Sequence, residues 1–244
     1  MNQKGLSPQI WPFLFIVIAF IGWLATAFIS RSEANGSMSD TGATIVVVGA
    51  SYVESWDLNR PIAGYRMINK GVHGQQSFEM LDRFQHDVIA LKPEAVIIWG
   101  FNNDVHRSDP ALIDRTLRRT RESLLAMVQL AKQAGIIPIL ATEILVRGRD
   151  DWSEFFKALI GTIRAKESYQ DYINRHVAEV NCWIRDTATR EGIMLLDLEA
   201  VLTDQQGQRR KESAKPDGRH ISHEGYEAVT HYLVNRLSIS FAAR

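Results

Sequence analysis

The sequence has a single cysteine, Cys182. That excludes an intrachain disulfide and a cysteine-rich metal site. Its surroundings, "AEVNCWIRD", read as helix with no histidine beside the thiol, so Cys182 is expected to be a small core residue and not a reactive group. Cysteine poverty is compatible with an oxidising compartment. Charge imbalance is missing too: 28 Lys and Arg stand against 28 Asp and Glu. No surface field that would draw nucleic acid is expected. His86, His106, His176 and His231 show no pairing at metal-ligand spacing, so no metal-ligand role is expected of them. The chain has no internal repeat and no low-complexity tract.

A further absence is local. Ile10–Ser30, "IWPFLFIVIAFIGWLATAFIS", contains no charged side chain. As a helix of about twenty residues it would match the hydrocarbon thickness of a bilayer. No polar face is visible, which argues against a helix of the globular domain. Trp11 suits a membrane interface, whereas Trp23 sits deeper than a belt residue should. Lys4 and the terminal amine precede the run and Arg31 follows it, a slight bias toward an inside amino terminus. Two readings remain. One is an uncleaved anchor, favoured because the run is long and ends in bulky Phe28-Ile29. The other is a cleaved signal peptide, with "ATA" at Ala25–Ala27 as the cleavage site. Either sends the rest of the chain across a membrane. The expected organisation is a signal-anchor or transmembrane segment over 1–30, a polar linker over 31–42 and a globular domain over 43–244. That domain would be periplasmic or extracytoplasmic, and secreted if the segment is cleaved.

From Ala43 onward, strand and helix signals alternate. The apolar runs Ala43–Val48, Tyr65–Asn69, Glu94–Trp99, Ile136–Ala141 and Ile193–Leu198 read as strands. Leu81, Phe84, Val88 and Leu91 repeat at helix spacing behind Ser77 as cap. Ile113, Leu117, Leu124, Val128 and Ala131 do the same between Asp109-Pro110 and Gly135. A long helical pattern spans Glu167–Glu191 and stops at Gly192. A last one starts at Ser222 and carries Tyr226, Val229, Leu233 and Leu237 on one face. Near-continuous apolar strands alternating with helices imply a parallel sheet covered on both sides.

In such a sheet, sites form beyond the carboxyl ends of the strands. The first three strands each run into a turn with glycine and a polar residue: Gly49-Ala50-Ser51, Gly71-Val72-His73-Gly74 and Gly100-Phe101-Asn102. The fifth leads to "KPDGRHISHEGY", Lys215–Tyr226. Acyl transfer needs a nucleophile, a base, a group that orients the base, and donors for an oxyanion. Ser51 is the candidate nucleophile, in a tight turn whose backbone angles Gly49 would permit. Its own N–H, the N–H of Gly74 and the side-chain amide of Asn102 are candidate oxyanion donors. His220 is the candidate base. Asp217, three residues earlier, would reach its Nδ1–H across a turn eased by Gly218. His223 is a nearby rival, but the Asp-x-x-His spacing favours His220. Each piece alone is ordinary turn chemistry; their order along consecutive strand ends is the signal.

These blocks resemble the SGNH hydrolases, the GDSL-like esterase/lipase superfamily. Gly49-Ala50-Ser51-Tyr52 is similar to the family's Gly-Asp-Ser-x. Asn69–Gly74, "NKGVHG", is similar to Asn-x-Gly-x-x-Gly, with Gly74 as the oxyanion glycine. Gly100-Phe101-Asn102-Asn103 is similar to Gly-x-Asn-Asp, and Asp217–His220 to Asp-x-x-His. The resemblance covers Ala43 to the carboxyl end. It implies a flavodoxin-like three-layer α/β/α sandwich with a central parallel sheet of about five strands, to which the N-terminal transmembrane helix would be added. It also implies cofactor-free ester hydrolysis. Two positions depart from the pattern. Ala50 replaces an aspartate outside the triad, and Asn103 replaces a second aspartate but can still bond to backbone.

The segment Glu143–Gln170 breaks the strand–helix rhythm at the active edge. Trp152, Phe155 and Phe156 either form a substrate wall or pack on the core, and His73 either lines the site or is simply exposed. Trp56 either shapes the pocket or packs beneath the turn. The basic loop Gly207–Ser213 reads as solvated, with an anionic polymer or lipid headgroup as the other reading. Three functions stay open. One is an envelope esterase removing a small, acetyl-like group from a surface or extracellular carbohydrate. The others are a lipolytic or thioesterase acyl hydrolase, and a catalytically silent membrane-tethered binding or assembly protein.

Overall fold

The computed structural model describes residues 42–147 and 168–241. Five strands, β1 (Thr44–Gly49), β2 (Arg66–Gly71), β3 (Ala95–Trp99), β4 (Ile137–Ala141) and β5 (Met194–Leu196), form one sheet in the order β2-β1-β3-β4-β5. All four pairings are parallel. Parallel neighbours need crossovers, and the helices supply them. In chain order they are α1 (Ser51–Glu54), α2 (Ser77–Asp87), α3 (Asn102–His106), α4 (Ile113–Gln133), α5 (Tyr169–Glu191), α6 (Leu198–Leu202) and α7 (His223–Phe241).

The sheet is dry on both faces at its centre because β1, β3 and β4 are almost wholly apolar, whereas the edge strand β2 carries Arg66, Asn69 and Lys70. Ile45, Val47, Ile97 and Trp99 point to one side and meet Leu198, Leu202, Val229 and Leu233 of α6 and α7. Val46, Val48, Val96 and Ile98 point to the other and meet Met80, Phe84, Leu124, Val128, Val177 and Ile184 of α2, α4 and α5. The period of two along each strand thus feeds two separate cores in a three-layer arrangement.

The element ends obey local chemistry. Gln76, one residue before Ser77, caps α2 in a reciprocal box with Glu79. Pro110 opens a short 3₁₀ turn ahead of α4, and Gly135 past its end has φ +73°. Ser168 caps α5 by accepting from Asp171 N–H, and Gly192 closes it at φ +62°. Ser222 Oγ accepts from Gly225 N–H at the start of α7. The fifth strand is shorter than its apolar run because Asp197 stops it, accepting from Ala200 N–H to cap α6.

Cys182 corrects the expectation of a core residue: it is exposed on the outer side of α5. Helix phase turns its neighbours Asn181 and Ile184 inward instead. The apolar segment 10–30 lies outside the described residues, as do Trp152, Phe155 and Phe156. Among the described residues no helix is long and apolar enough to cross a membrane.

Gly49 is required for a reason other than the one the sequence suggests. Its φ is not positive. A β-carbon there would stand 2.2 Å from the Trp99 carbonyl oxygen and 2.2 Å from Val53 Cγ2. Close approach of β1, β3 and α1 is what excludes a side chain. Backbone cannot yield as a flexible side chain could, so Gly49→Ala is expected to cost about 3 kcal/mol, at the upper end of overpacking costs. The shift of its urea unfolding midpoint against the parent chain checks this.

Candidate active site

The four sequence blocks lie at the carboxyl ends of β1, β2 and β3 and in the loop before α7. Ser51 is the first residue of α1 and is half-buried. As the first helical residue it has no intrahelical acceptor for its N–H, and none of the described residues supplies one. The Gly74 N–H is likewise without an acceptor among the described residues. Gly74 is buried at φ +76°, a region that favours glycine. Arg107 Nη2 lies 2.8 Å from where its β-carbon would be, so a guanidinium sits beside this turn.

Asn69 joins the second block to the first. Its Nδ2 donates to the Val53 and Trp56 carbonyls at 2.6 and 3.1 Å, and its Oδ1 accepts from Gly71 N–H at 2.8 Å. The third block supports the second. Asn103 Nδ2 donates to the Gln75 carbonyl at 2.9 Å, so the departure from aspartate keeps a backbone tie. Asp104, fully buried, accepts from Ser77 N–H, Ser77 Oγ and Thr120 Oγ1 at 2.7, 2.6 and 2.9 Å. Burial raises its pKa, and those three bonds counter the rise. Neither the sequence pattern nor the family blocks singled out Asp104.

In the last block, His220 Nδ1 is 2.5 Å from Asp217 Oδ2, while Asp217 Oδ1 accepts from the N–H groups of Arg219 and His220 at 2.9 Å each. Gly218, at φ +69°, lets the chain turn tightly enough for this. Partial burial pushes the Asp217 carboxyl upward, but the imidazole and the two N–H donors outweigh it and hold it down to about 2. Asp217 is therefore ionised across the neutral range and fixes a proton on His220 Nδ1, leaving Nε2 as the basic nitrogen.

The first and last blocks meet through Tyr52. Its hydroxyl donates to the Arg219 carbonyl at 2.7 Å, and Tyr226 Oη donates to the Tyr52 carbonyl at 2.8 Å. The residue after Ser51 is thus bonded to the residue before His220. The Ser51 hydroxyl and the His220 ring share no hydrogen bond. Such bonds are commonly long until substrate binds.

Asn102 is buried, and its amide faces inward. Nδ2 meets Glu143 Oε2 at 3.1 Å, the Ile144 carbonyl at 3.2 Å and Tyr52 Oη at 3.5 Å, while Oδ1 is buried and accepts nothing. Glu143, 2% exposed, also accepts from the N–H groups of Phe101, Asn102 and Ile144 at 2.9, 3.4 and 3.3 Å. The sequence reading passed over this carboxylate.

In the loop 207–213, Gly207, Gln208, Lys211 and Glu212 are exposed as expected, but not every side chain follows that reading. Arg209 is not solvated; it is 1% exposed. Its guanidinium donates to the carbonyls of Gly218, Arg219, Ser213 and His220, the last three at 2.8 to 2.9 Å. A buried cation therefore holds the main chain that carries His220.

His73 is exposed beside Gly74, with Nδ1 3.6 Å from Glu54 Oε2. Trp56 packs beneath the turn, edge-on to Trp99 and bonded to Thr230 Oγ1. His106 Nδ1 lies 3.0 Å from Tyr169 Oη, and burial, then the Arg219 charge, pulls its pKa down to about 4. Among the described residues no group of His, Cys, Asp or Glu is arranged to hold a metal.

A model of the GDSL-like lipase/acylhydrolase family matches residues 48–228. No curated protein matches the sequence. Among solved structures, one described as a lipolytic protein of the G-D-S-L family from Desulfitobacterium hafniense superposes with a TM-score of 0.62 at 24% identity, covering 80% of this chain and 99% of the other. A GDSL-like lipase from Bacteroides thetaiotaomicron gives 0.62 at 21% identity, covering 86% and 96%. A catalytic mutant of an acetylxylan esterase from Geobacillus stearothermophilus gives 0.62 at 18%, covering 82% and 96%. At these identities the structural likeness concerns the fold.

Proposed function

Because the chain belongs to the GDSL-like lipase/acylhydrolase family, we propose that it is a serine esterase with Ser51 as nucleophile, His220 as base and Asp217 as the group that orients the base. The observation that carries this reading is the Asp217–His220 pair, 2.5 Å apart, in a loop bonded to the Ser51 turn through Tyr52 and Arg219. Ser51 Oγ attacks the ester carbonyl as His220 Nε2 takes its proton. The resulting imidazolium is stabilised by the Asp217 carboxylate. The tetrahedral oxyanion accepts from the unpaired N–H groups of Ser51 and Gly74 and from the Asn102 amide. The C–O bond then breaks, and His220 returns the proton to the leaving alcohol. Water repeats the sequence on the acyl-enzyme and releases the acid.

The substrate we favour is a small acyl ester, acetyl-like, on an envelope or extracellular carbohydrate. The acetylxylan esterase fold likeness and the uncharged segment 10–30 support this choice. In this reading the segment tethers or exports the catalytic domain to the outer side of a membrane.

Purified protein should be labelled by a fluorophosphonate at Ser51, located by peptide mass spectrometry. It should hydrolyse p-nitrophenyl acetate faster than the decanoate, and release acetate from acetylated sugars. A preference for the long chain would select a lipolytic enzyme. Absence of both labelling and turnover would select a silent binding protein. Asn102→Ala is expected to lower kcat by about a hundred- to a thousandfold, the usual cost of one oxyanion donor. Steady-state kinetics on the acetate ester check it, and full activity in that variant would remove Asn102 from the oxyanion site.

A further inference from the structure

The mechanism above makes no use of Glu143, yet this side chain accepts from the third block at three atoms, the N–H groups of Phe101 and Asn102 and the Asn102 amide. We propose that Glu143 is a positioning residue for Asn102, and that a proton on its carboxyl releases the Asn102 amide to serve the oxyanion. The inference rests on the esterase reading and deepens it.

The geometry is specific. Asn102 Nδ2 carries two hydrogens and faces three protein acceptors: Glu143 Oε2, the Ile144 carbonyl and Tyr52 Oη. An oxyanion would be a fourth. With Glu143 ionised, the charged acceptor holds one N–H strongly. A proton on Oε2 reverses this: the oxygen becomes a donor, and the N–H loses its strongest partner. Through Oε1, Glu143 keeps its bonds to the Phe101 and Asn102 N–H groups in either state.

Such a carboxyl must be able to hold a proton near neutrality. Burial pushes Glu143 up to about 7 against its backbone donors, and the nearby Asp104 charge adds to the rise. The other groups around it are accounted for. Tyr52 from α1 and Tyr226 from α7 are phenols raised by burial, Tyr52 to about 12, so both stay neutral. Arg209 bears on this cluster through Tyr52 and Tyr226. From α5, Asn181 Nδ2 donates to the Glu143 carbonyl and to Glu199, whose charge is bound by Arg185.

The sign follows. The protonated form is the active one, so kcat falls as pH rises through about 7. For a single titrating group, kcat at pH 8 lies roughly tenfold below its plateau and falls roughly tenfold for each further unit. The test is the kcat–pH profile on p-nitrophenyl acetate from pH 5.5 to 9, for the parent chain, Glu143→Gln and Asn102→Ala. The parent is expected to show the alkaline fall. Glu143→Gln, which cannot ionise, should lose it. Asn102→Ala should lose it too, at a lower rate overall, because Glu143 acts through that amide. A purely structural glutamate would leave the Asn102→Ala profile like the parent's. A flat parent profile, or an alkaline fall that persists in either variant, overturns the proposal. Should Glu143→Gln fail to fold, the Asn102→Ala arm still decides. Fluorophosphonate labelling of Ser51 in the same samples separates this outcome from failure of the esterase reading, which would abolish labelling in the parent.

Discussion

Ser51→Ala is expected to abolish turnover, with a loss in kcat on the order of a million-fold, as when the nucleophile of a comparable triad is removed. The substitution deletes one oxygen from a half-buried position at the first residue of α1. The hydroxyl makes no hydrogen bond among the described residues, so its removal breaks no bond among them. Alanine also suits the start of a helix that draws no cap from its side chain. Stability should therefore stay within about 0.5 kcal/mol of the parent. That pairing, lost rate and kept stability, is the informative part. Urea unfolding beside p-nitrophenyl acetate hydrolysis measures both. Appreciable turnover by the alanine variant would place the nucleophile elsewhere.

Arg209→Ala should show the opposite pattern, a large loss of stability that carries activity down with it. The guanidinium bonds four carbonyls of the strap between residues 213 and 220. Arg209's own carbonyl accepts from Arg147 Nη1, whose main-chain N–H in turn reaches the Gly218 carbonyl. Burial of the cation depresses its pKa, while a hydrogen bond with Tyr52 and the Asp217 charge favour the charged form. Truncation removes those donors and leaves a cavity, at an expected cost of about 3 kcal/mol or more. The strap carries His220, and a displacement of about 1 Å at the base would lower kcat about a hundredfold. Arg209→Met, which fills more of the space but donates nothing, should recover only part of the stability. Arg209→Lys keeps the charge but cannot fork to several carbonyls at once. Urea midpoints together with kcat across the three variants test this. An Arg209→Ala chain that is as stable and as active as the parent would show that the strap holds itself.

The sheet was legible because its central strands β1, β3 and β4 are apolar at successive positions and its helices are punctuated by Pro110, Gly135, Gly192 and Ser222. Local chemistry sets those ends, so local reading finds them. Asp217 and His220 were legible for the same reason, since a turn of three residues brings them together. What escaped notice depends on packing between distant segments. Arg209 sits in a run of charges, "GQRRKES", and nothing in that run distinguishes the buried arginine from the accessible lysine beside it. Glu143 left a fainter trace: it is the lone acid in "IIPILATEILV", an apolar stretch where an unpartnered carboxylate would be costly. Cys182 misled because a helical segment has two sides, and neither its composition nor its neighbours fix the phase without the contacts of α5. For Gly49, the glycine was foreseen but its cause was not; crowding by Trp99 and Val53 is a tertiary fact.

The bond between Tyr52 and Arg219 joins positions separated by 167 residues. Its Tyr52 end leaves the ribosome long before its Arg219 end does. A nascent polypeptide that has already shaped β1 and the Ser51 turn still lacks the strap that carries His220. In the proposed mechanism, a chain cut short by premature termination before residue 217 would hold a nucleophile with no base and would be inert toward the esters it met.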